Sequence, residues 1–133
     1  MNKLEAIVTK IKSKQSLNLV SFSFNTNSLT MISLDLDEKV KEDKKVLLSI
    51  KPTNITLAKN FEGLLSSSNK LLGKISNLEI GELLSSVICD VNGTLIEAVI
   101  TTNSLEKMNL SLNEDIVLLF KASDLAIMEI SND

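Results

Sequence analysis

The sequence predicts an all-β protein built as two small Greek-key barrels in tandem, and three observations lead there. The first is an internal repeat: Asn2-Lys3-Leu4 recurs as Asn69-Lys70-Leu71, 67 positions further on, and self-similarity at a fixed spacing marks a duplicated structural unit. The second is that the same spacing carries Val20, Phe22 and Phe24 onto Val87, Cys89 and Val91. Two stretches that alternate apolar with polar residues, the period of a half-buried strand, thereby fall in register. The third is turn chemistry. Asn92-Gly93 follows the second of these stretches, and both residues accept the positive φ that a tight hairpin requires.

Taken in order, alternation and β-branched content predict strands over residues 4–12, 18–24, 29–34, 45–50 and 54–58. Asn25-Thr26-Asn27-Ser28 reads as the turn after the second strand; being longer than Asn92-Gly93, it shifts the repeat to 66 positions and pairs Leu29 with Leu95. A polar, helix-compatible segment, Asp35 to Asp43, separates the third and fourth strands, and Thr102 to Asn113 does so in the second half. Further on, Val46 through Ile55 lies over Ile116 through Leu125, now 70 positions apart. Each module therefore has five short strands plus a helical turn, the pattern of an OB-like barrel. The expected division is a first module over 1–60, a linker over 61–68 and a second module over 69–133. Gly63 and Ser66-Ser67-Ser68 give the Lys59 to Ser68 stretch the composition of a flexible joint. Modules this small bury little surface, and Val117-Leu118-Leu119 is apolar on both strand faces, so a homo-oligomer is expected to cover the second face.

Composition narrows function by exclusion. The 133 residues carry 14 basic and 17 acidic side chains, a balance with no field to draw in nucleic acid or an anionic membrane. Histidine, tryptophan and tyrosine are absent, which removes imidazole chemistry and most stacking platforms. The lone Cys89, in a core-like position with no histidine, reads as packing and not as a nucleophile, so no enzyme is expected. The opening Met1-Asn2-Lys3-Leu4-Glu5-Ala6 lacks the apolar stretch of a signal peptide, and the strongest apolar run, Ile116 to Phe120, is far too short to span a bilayer. A cytoplasmic protein without a membrane anchor is the expectation.

The second half carries Asn69-Lys70-Leu71-Leu72-Gly73-Lys74-Ile75, then Glu97-Ala98-Val99-Ile100-Thr101-Thr102-Asn103-Ser104, and ends Phe120-Lys121-Ala122-Ser123-Asp124. Over Ser66 to Met128 it resembles the Mop, or molbindin, domain of the TOBE-like molybdate-binding proteins, with Lys121-Ala122-Ser123-Asp124 the most specific part. The first half matches only faintly. The resemblance implies a tandem di-Mop protein: a cytoplasmic homotrimer, the binding unit alone, that stores or buffers molybdate, or the nearly isosteric tungstate, in sites between domains or subunits. It also implies that Thr101 and Ser104, and Lys121 with the backbone N–H of Ala122 and neighbouring Ser123, contact the oxyanion. Such an anion brings four acceptor oxygens and no proton, so its site supplies donors. Without the resemblance, Thr101 to Ser104 reads as helix capping, with Asn103 as cap and Glu106 as its partner, and Lys121 reads as a strand end.

Two departures from the family pattern carry consequences. Ser68 stands where the family has arginine, leaving Ser66, Ser68, Asn69 and Lys70 as the donors of the linker end, or the three serines as simple linker. In the first half Asp35-Leu36-Asp37-Glu38 replaces Thr101 to Ser104, and Pro52 replaces Ala122 and removes an N–H. The site is thus expected in the second module and lost in the first, where Asp35 or Asp37 serves as a structural cap and Lys3 and Lys51 remain as donors across an interface. Two other readings stay open: the same fold binding sulfate or phosphate, and an interaction module with no ligand.

Overall fold

The structure is a computed structural model that describes residues 1–132. The first half forms β1 (Asn2–Lys14), β2 (Leu17–Phe24), β3 (Asn27–Ser33), β4 (Lys45–Ile50), a 3₁₀ turn at Pro52–Asn54 and β5 (Thr56–Ala58). The second forms β6 (Asn69–Ile80), β7 (Leu84–Val91), β8 (Thr94–Thr101), α1 (Thr102–Met108), β9 (Asp115–Phe120), a 3₁₀ turn at Ala122–Asp124 and β10 (Ala126–Ile130). Strand alternation does the sorting: Leu4, Val8, Val20, Phe22 and Leu29 are buried from one half, and Leu71, Ile75, Val87, Cys89 and Ile96 from the other. Burying a side chain of this size contributes about 1.5 to 3 kcal/mol. The tandem all-β, OB-like fold is as the sequence predicts.

The sheets do not follow the halves at their last strands. One has the order β10-β4-β1-β2-β3 and the other β5-β9-β6-β7-β8, so each half gives its closing strand to the other's sheet. The closing strands come late, after a turn, and pair at the open edge of the fourth strand of the opposite half: Leu57 with Leu118, and Ile127 with Leu48. Ile55 and Leu57, and Leu125 at the corresponding place, bury themselves in this exchange, so one continuous core runs through both sheets.

Two asparagines hold the halves together by the same geometry. The Asn2 amide donates to Glu97 O at 2.8 Å and accepts from Glu97 N at 2.8 Å. Asn69 donates to Thr30 O at 2.9 Å and accepts from Thr30 N at 2.7 Å. Each amide imitates one rung of a ladder on an edge strand that would otherwise present unpaired backbone groups. Both asparagines are buried.

The repeat is more regular than the sequence implies. Phe24 pairs with Asn27 and Val91 with Thr94, so both hairpins have two-residue loops, Asn25-Thr26 and Asn92-Gly93. The spacing therefore stays at 67 through the third strand, and Leu29 corresponds to Ile96, both fully buried, while Leu95 is exposed. Asn25 supplies the left-handed conformation by itself, with φ of 53°, which explains why a turn without glycine still closes in two residues. The β-bulges repeat as well, between Val8 and Lys10 and between Ile75 and Asn77.

The helix-compatible segments behave differently from each other. Only the segment 102–113 contains a helix, α1 over Thr102–Met108, and residues 35–43 pass in turns. There the Asp37 carboxylate accepts from Lys39 N at 2.8 Å and Asp37 O accepts from Val40 N at 3.0 Å, local bonds that compete with a helical ladder. Asp37 thus caps a turn. In the second half α1 is capped by Thr101, whose Oγ1 accepts from Ser104 N at 3.1 Å, and not by Asn103. Its far end is held by Lys59, which donates to Met108 O and Asn109 O and pairs with Glu114 at 2.8 Å. A cation at the helix C-terminus satisfies orphan carbonyls, and the Lys59 hydrogen bond holds the Glu114 carboxyl below its ordinary range. Cys89 is buried, and burial pushes its thiol up to about 11, so it is protonated at neutral pH and serves as core.

Candidate functional site

The strongest candidate lies where β9 ends. A groove of about 450 Å³ is lined by Ser66, Ser67, Ser68, Lys121, Ala122, Ser123 and Asp124, with Ile32 of β3, Asn54, Thr56, Leu65, Leu119 and Phe120 completing its walls. Register explains the convergence. Lys70 pairs with Leu119 and Asn69 with Phe120 across β6 and β9, and continuing that ladder past the strand ends brings Ser68 beside Lys121. Lys121 is solvent-exposed and Ala122 is buried. The Lys121 ammonium is therefore available while the chain beneath it is anchored.

The linker serines divide their work. Ser67 donates its hydroxyl to Phe120 O at 2.9 Å and ties the linker to the end of β9. Ser66 and Ser68 are exposed in the same groove. The 3₁₀ turn after Lys121 is closed by Asp124, whose N donates to Lys121 O at 3.0 Å and whose carboxylate accepts from Lys121 N at 3.2 Å. The first amides of such a turn, at Ala122 and Ser123, have no partner within the turn itself. In chemical terms the groove offers one exposed cation, four hydroxyls from Thr56, Ser66, Ser68 and Ser123, and the amides of Ala122 and Ser123. Its carboxylate is already engaged as a cap.

Five of the residues singled out from sequence thus share one groove: Ser66, Ser68, Lys121, Ala122 and Ser123. The other five do not line it. Asn69 is fully buried and spends both ends of its amide on Thr30. Thr101 and Ser104 face one another at the start of α1, with a 2.9 Å bond from Thr101 Oγ1 to Ser104 Oγ in addition to the cap. Their strand, β8, meets the Pro52–Asn54 turn instead. Lys3 lies on β1 opposite Ser49, and Lys51 precedes the Pro52–Asn54 turn; both are exposed. Sequence reasoning missed Asn54, Thr56 and Ile32, which reach the groove only through the exchange of β5 and the docking of β3. No local signal in the sequence announces either event.

Elsewhere, a groove of about 550 Å³ between the end of β3 and β10 carries Asp35, Asp37 and Glu129 with a single Lys39. That acidic lining is unsuited to an anion. Among the described residues there is no cluster of three or more potential metal ligands, and no helix is long and apolar enough to cross a membrane.

Comparison with known proteins agrees with this architecture. Residues 65–127 match the family model of the TOBE domain. The chain is also similar in structure to the cytoplasmic molybdate-binding protein ModG in its molybdate-bound form, with a TM-score of 0.88 at 19% identity, over 95% of this chain and 94% of that one. The likeness extends over both halves, including the first, whose sequence match is faint. Comparison with curated protein sequences finds no match.

Proposed function

We propose that this chain, whose residues 65–127 match the TOBE domain family model, binds a tetrahedral oxyanion, molybdate first and tungstate next, in the groove at the end of β9. The observation that carries the reading is the convergence of Lys121, Ala122, Ser123, Ser66 and Ser68 on one groove, in a fold shared over 95% of the chain with a molybdate-bound protein. Each charge-assisted hydrogen bond contributes about 1.5 to 3 kcal/mol. Four or five of them reach the roughly 8 kcal/mol of micromolar affinity after ordering and desolvation are subtracted. Binding needs no chemistry of bond making, so the role is storage or buffering inside the cell and not catalysis.

Assembly enters this reading in two ways. Leu72, Leu84 and Leu95 are 66%, 57% and 62% exposed, and such apolar strand residues favour burial against another copy. A homo-oligomer, a trimer by family resemblance, also gives Thr101 and Ser104 a route to a neighbour's anion that they lack toward the groove of their own chain. The expected result is an oligomeric mass in light scattering at micromolar concentration; a monomer would remove this part of the reading.

One observation favours a second ligand. Asp124 lines the groove; one of its carboxylate oxygens caps the turn, and the other is an acceptor that a proton-bearing anion such as hydrogen phosphate satisfies and molybdate does not. Competition calorimetry with molybdate, tungstate, sulfate and phosphate separates the readings. We expect heat from molybdate and tungstate, with displacement by neither sulfate nor phosphate at equal concentration. Preference for phosphate reverses the ligand assignment, and no heat from any anion leaves an interaction module without a ligand.

A further inference from the structure

The exchanged strand β5 brings more to the groove than a wall. Thr56 pairs with Leu119 and Ala58 with Val117 across β5 and β9, and Asn54 closes the 3₁₀ turn that leads into β5. Asn54, Lys121 and Ser68, from three separate parts of the chain, line one groove together with Thr56 and Leu119. Ile55 and Leu57 are buried in the core, whereas Asn54 and Thr56 are not. Asn54 is half-buried, with its backbone N–H already bonded to Lys51 O at 2.9 Å. Its side-chain amide has no hydrogen-bond partner among the described residues.

Resting on the oxyanion reading, we infer that Asn54 and Thr56, supplied by the first half through strand exchange, are anion-contacting groups of the second-sheet groove. The amide of asparagine donates two hydrogen bonds without adding charge, and the threonine hydroxyl donates one. The Asp124 carboxylate in the same groove accepts from Lys121 N at 3.2 Å. A second carboxylate at position 54 would add to that negative charge, whereas the asparagine amide does not. The first half thus contributes to binding in spite of the loss of its own site.

The test is calorimetric titration of the full chain with sodium molybdate, comparing the unaltered protein with Lys121→Ala, Asn54→Asp, Asn54→Ala and Thr56→Val, each checked for thermal unfolding by circular dichroism. Asn54→Asp is expected to weaken binding about tenfold or more, as Lys121→Ala does, since each removes or cancels a charge-assisted contact. Asn54→Ala and Thr56→Val are expected to weaken it roughly threefold to tenfold, the loss of neutral donors. If Lys121→Ala weakens binding but Asn54→Asp and Asn54→Ala both bind within about twofold of the unaltered chain, the inference falls and the oxyanion reading stands. If the unaltered chain gives no heat, the oxyanion reading falls and takes this inference with it. Should Asn54→Asp fail to fold, Asn54→Ala and Thr56→Val decide the matter by the same criterion.

Discussion

The two halves of this molecule carry the same lysine in the same place and make different surroundings for it. Lys121 shares a groove with Asn54, Thr56, Ser66 and Ser68 and precedes a 3₁₀ turn that begins with Ala122. Lys51 lies outside that groove and precedes a turn that begins with Pro52. The first turn offers an N–H at its opening residue and the second does not. A duplicated fold has kept its geometry while the residues around its two lysines have diverged.

The comparison breaks most visibly at the asparagine clamps. Asn69→Ala strips partners from the N–H and C=O of Thr30 at a fully buried position, and is expected to cost roughly 2 to 4 kcal/mol in urea unfolding, since each stranded group costs about 1 to 3. Asn2→Ala, at 7% exposure, should cost somewhat less. Equal or reversed costs would mean that burial does not separate the two clamps.

Next in size is the lysine pair. Lys121→Ala is expected to reduce molybdate affinity about tenfold or more, one charge-assisted contact of about 1.5 to 3 kcal/mol, while Lys51→Ala should leave it within about twofold. Calorimetry on both variants settles whether the two lysines are functionally unequal. A matching loss at Lys51 would restore symmetry between the halves.

The smallest effect concerns the helix that only the second half possesses. Thr101→Ala removes the N-cap of α1 and should lower stability by about 1 kcal/mol. Its counterpart Leu34 is exposed and lies ahead of turns, not a helix, so Leu34→Ala should change stability by less than about 0.5 kcal/mol. If Thr101→Ala also weakens molybdate binding in the assembled protein, Thr101 has a ligand role beside its cap; an unchanged affinity restricts it to capping.

Much of this was legible in the residues. Alternation of Val20, Phe22 and Phe24 against Val87, Cys89 and Val91 located the strands and their duplication because the side-chain period of a strand is two, and only one register buries the apolar set. Lys121-Ala122-Ser123 and Ser66 to Ser68 were identified as candidate donors, and they meet because they flank neighbouring strands. Other features differ between sequence and structure for nonlocal reasons. Composition makes Asn27 and Ser28 turn-forming and predicts a four-residue first turn, yet cross-strand pairing with Phe24 and Ser23 draws them into β3. Spacing to Glu106 predicts Asn103 as the cap, but β8 runs as far as Thr101 and hands the position to that residue.

What the sequence determined alone is therefore whatever depends on neighbours along the chain: strand periodicity, the duplication, the asymmetry of Pro52 against Ala122, and the absence of histidine. What tertiary structure decided is which strand closes which sheet. The choice between β5 and β10 as closing strand is made by nonlocal pairing at an edge, where both candidates offer similar apolar residues, Ile55 and Leu57 against Leu125 and Ile127. No local pattern distinguishes them. That one exchange brings Asn54 and Thr56 into the groove of Lys121, and so sets the character of the site.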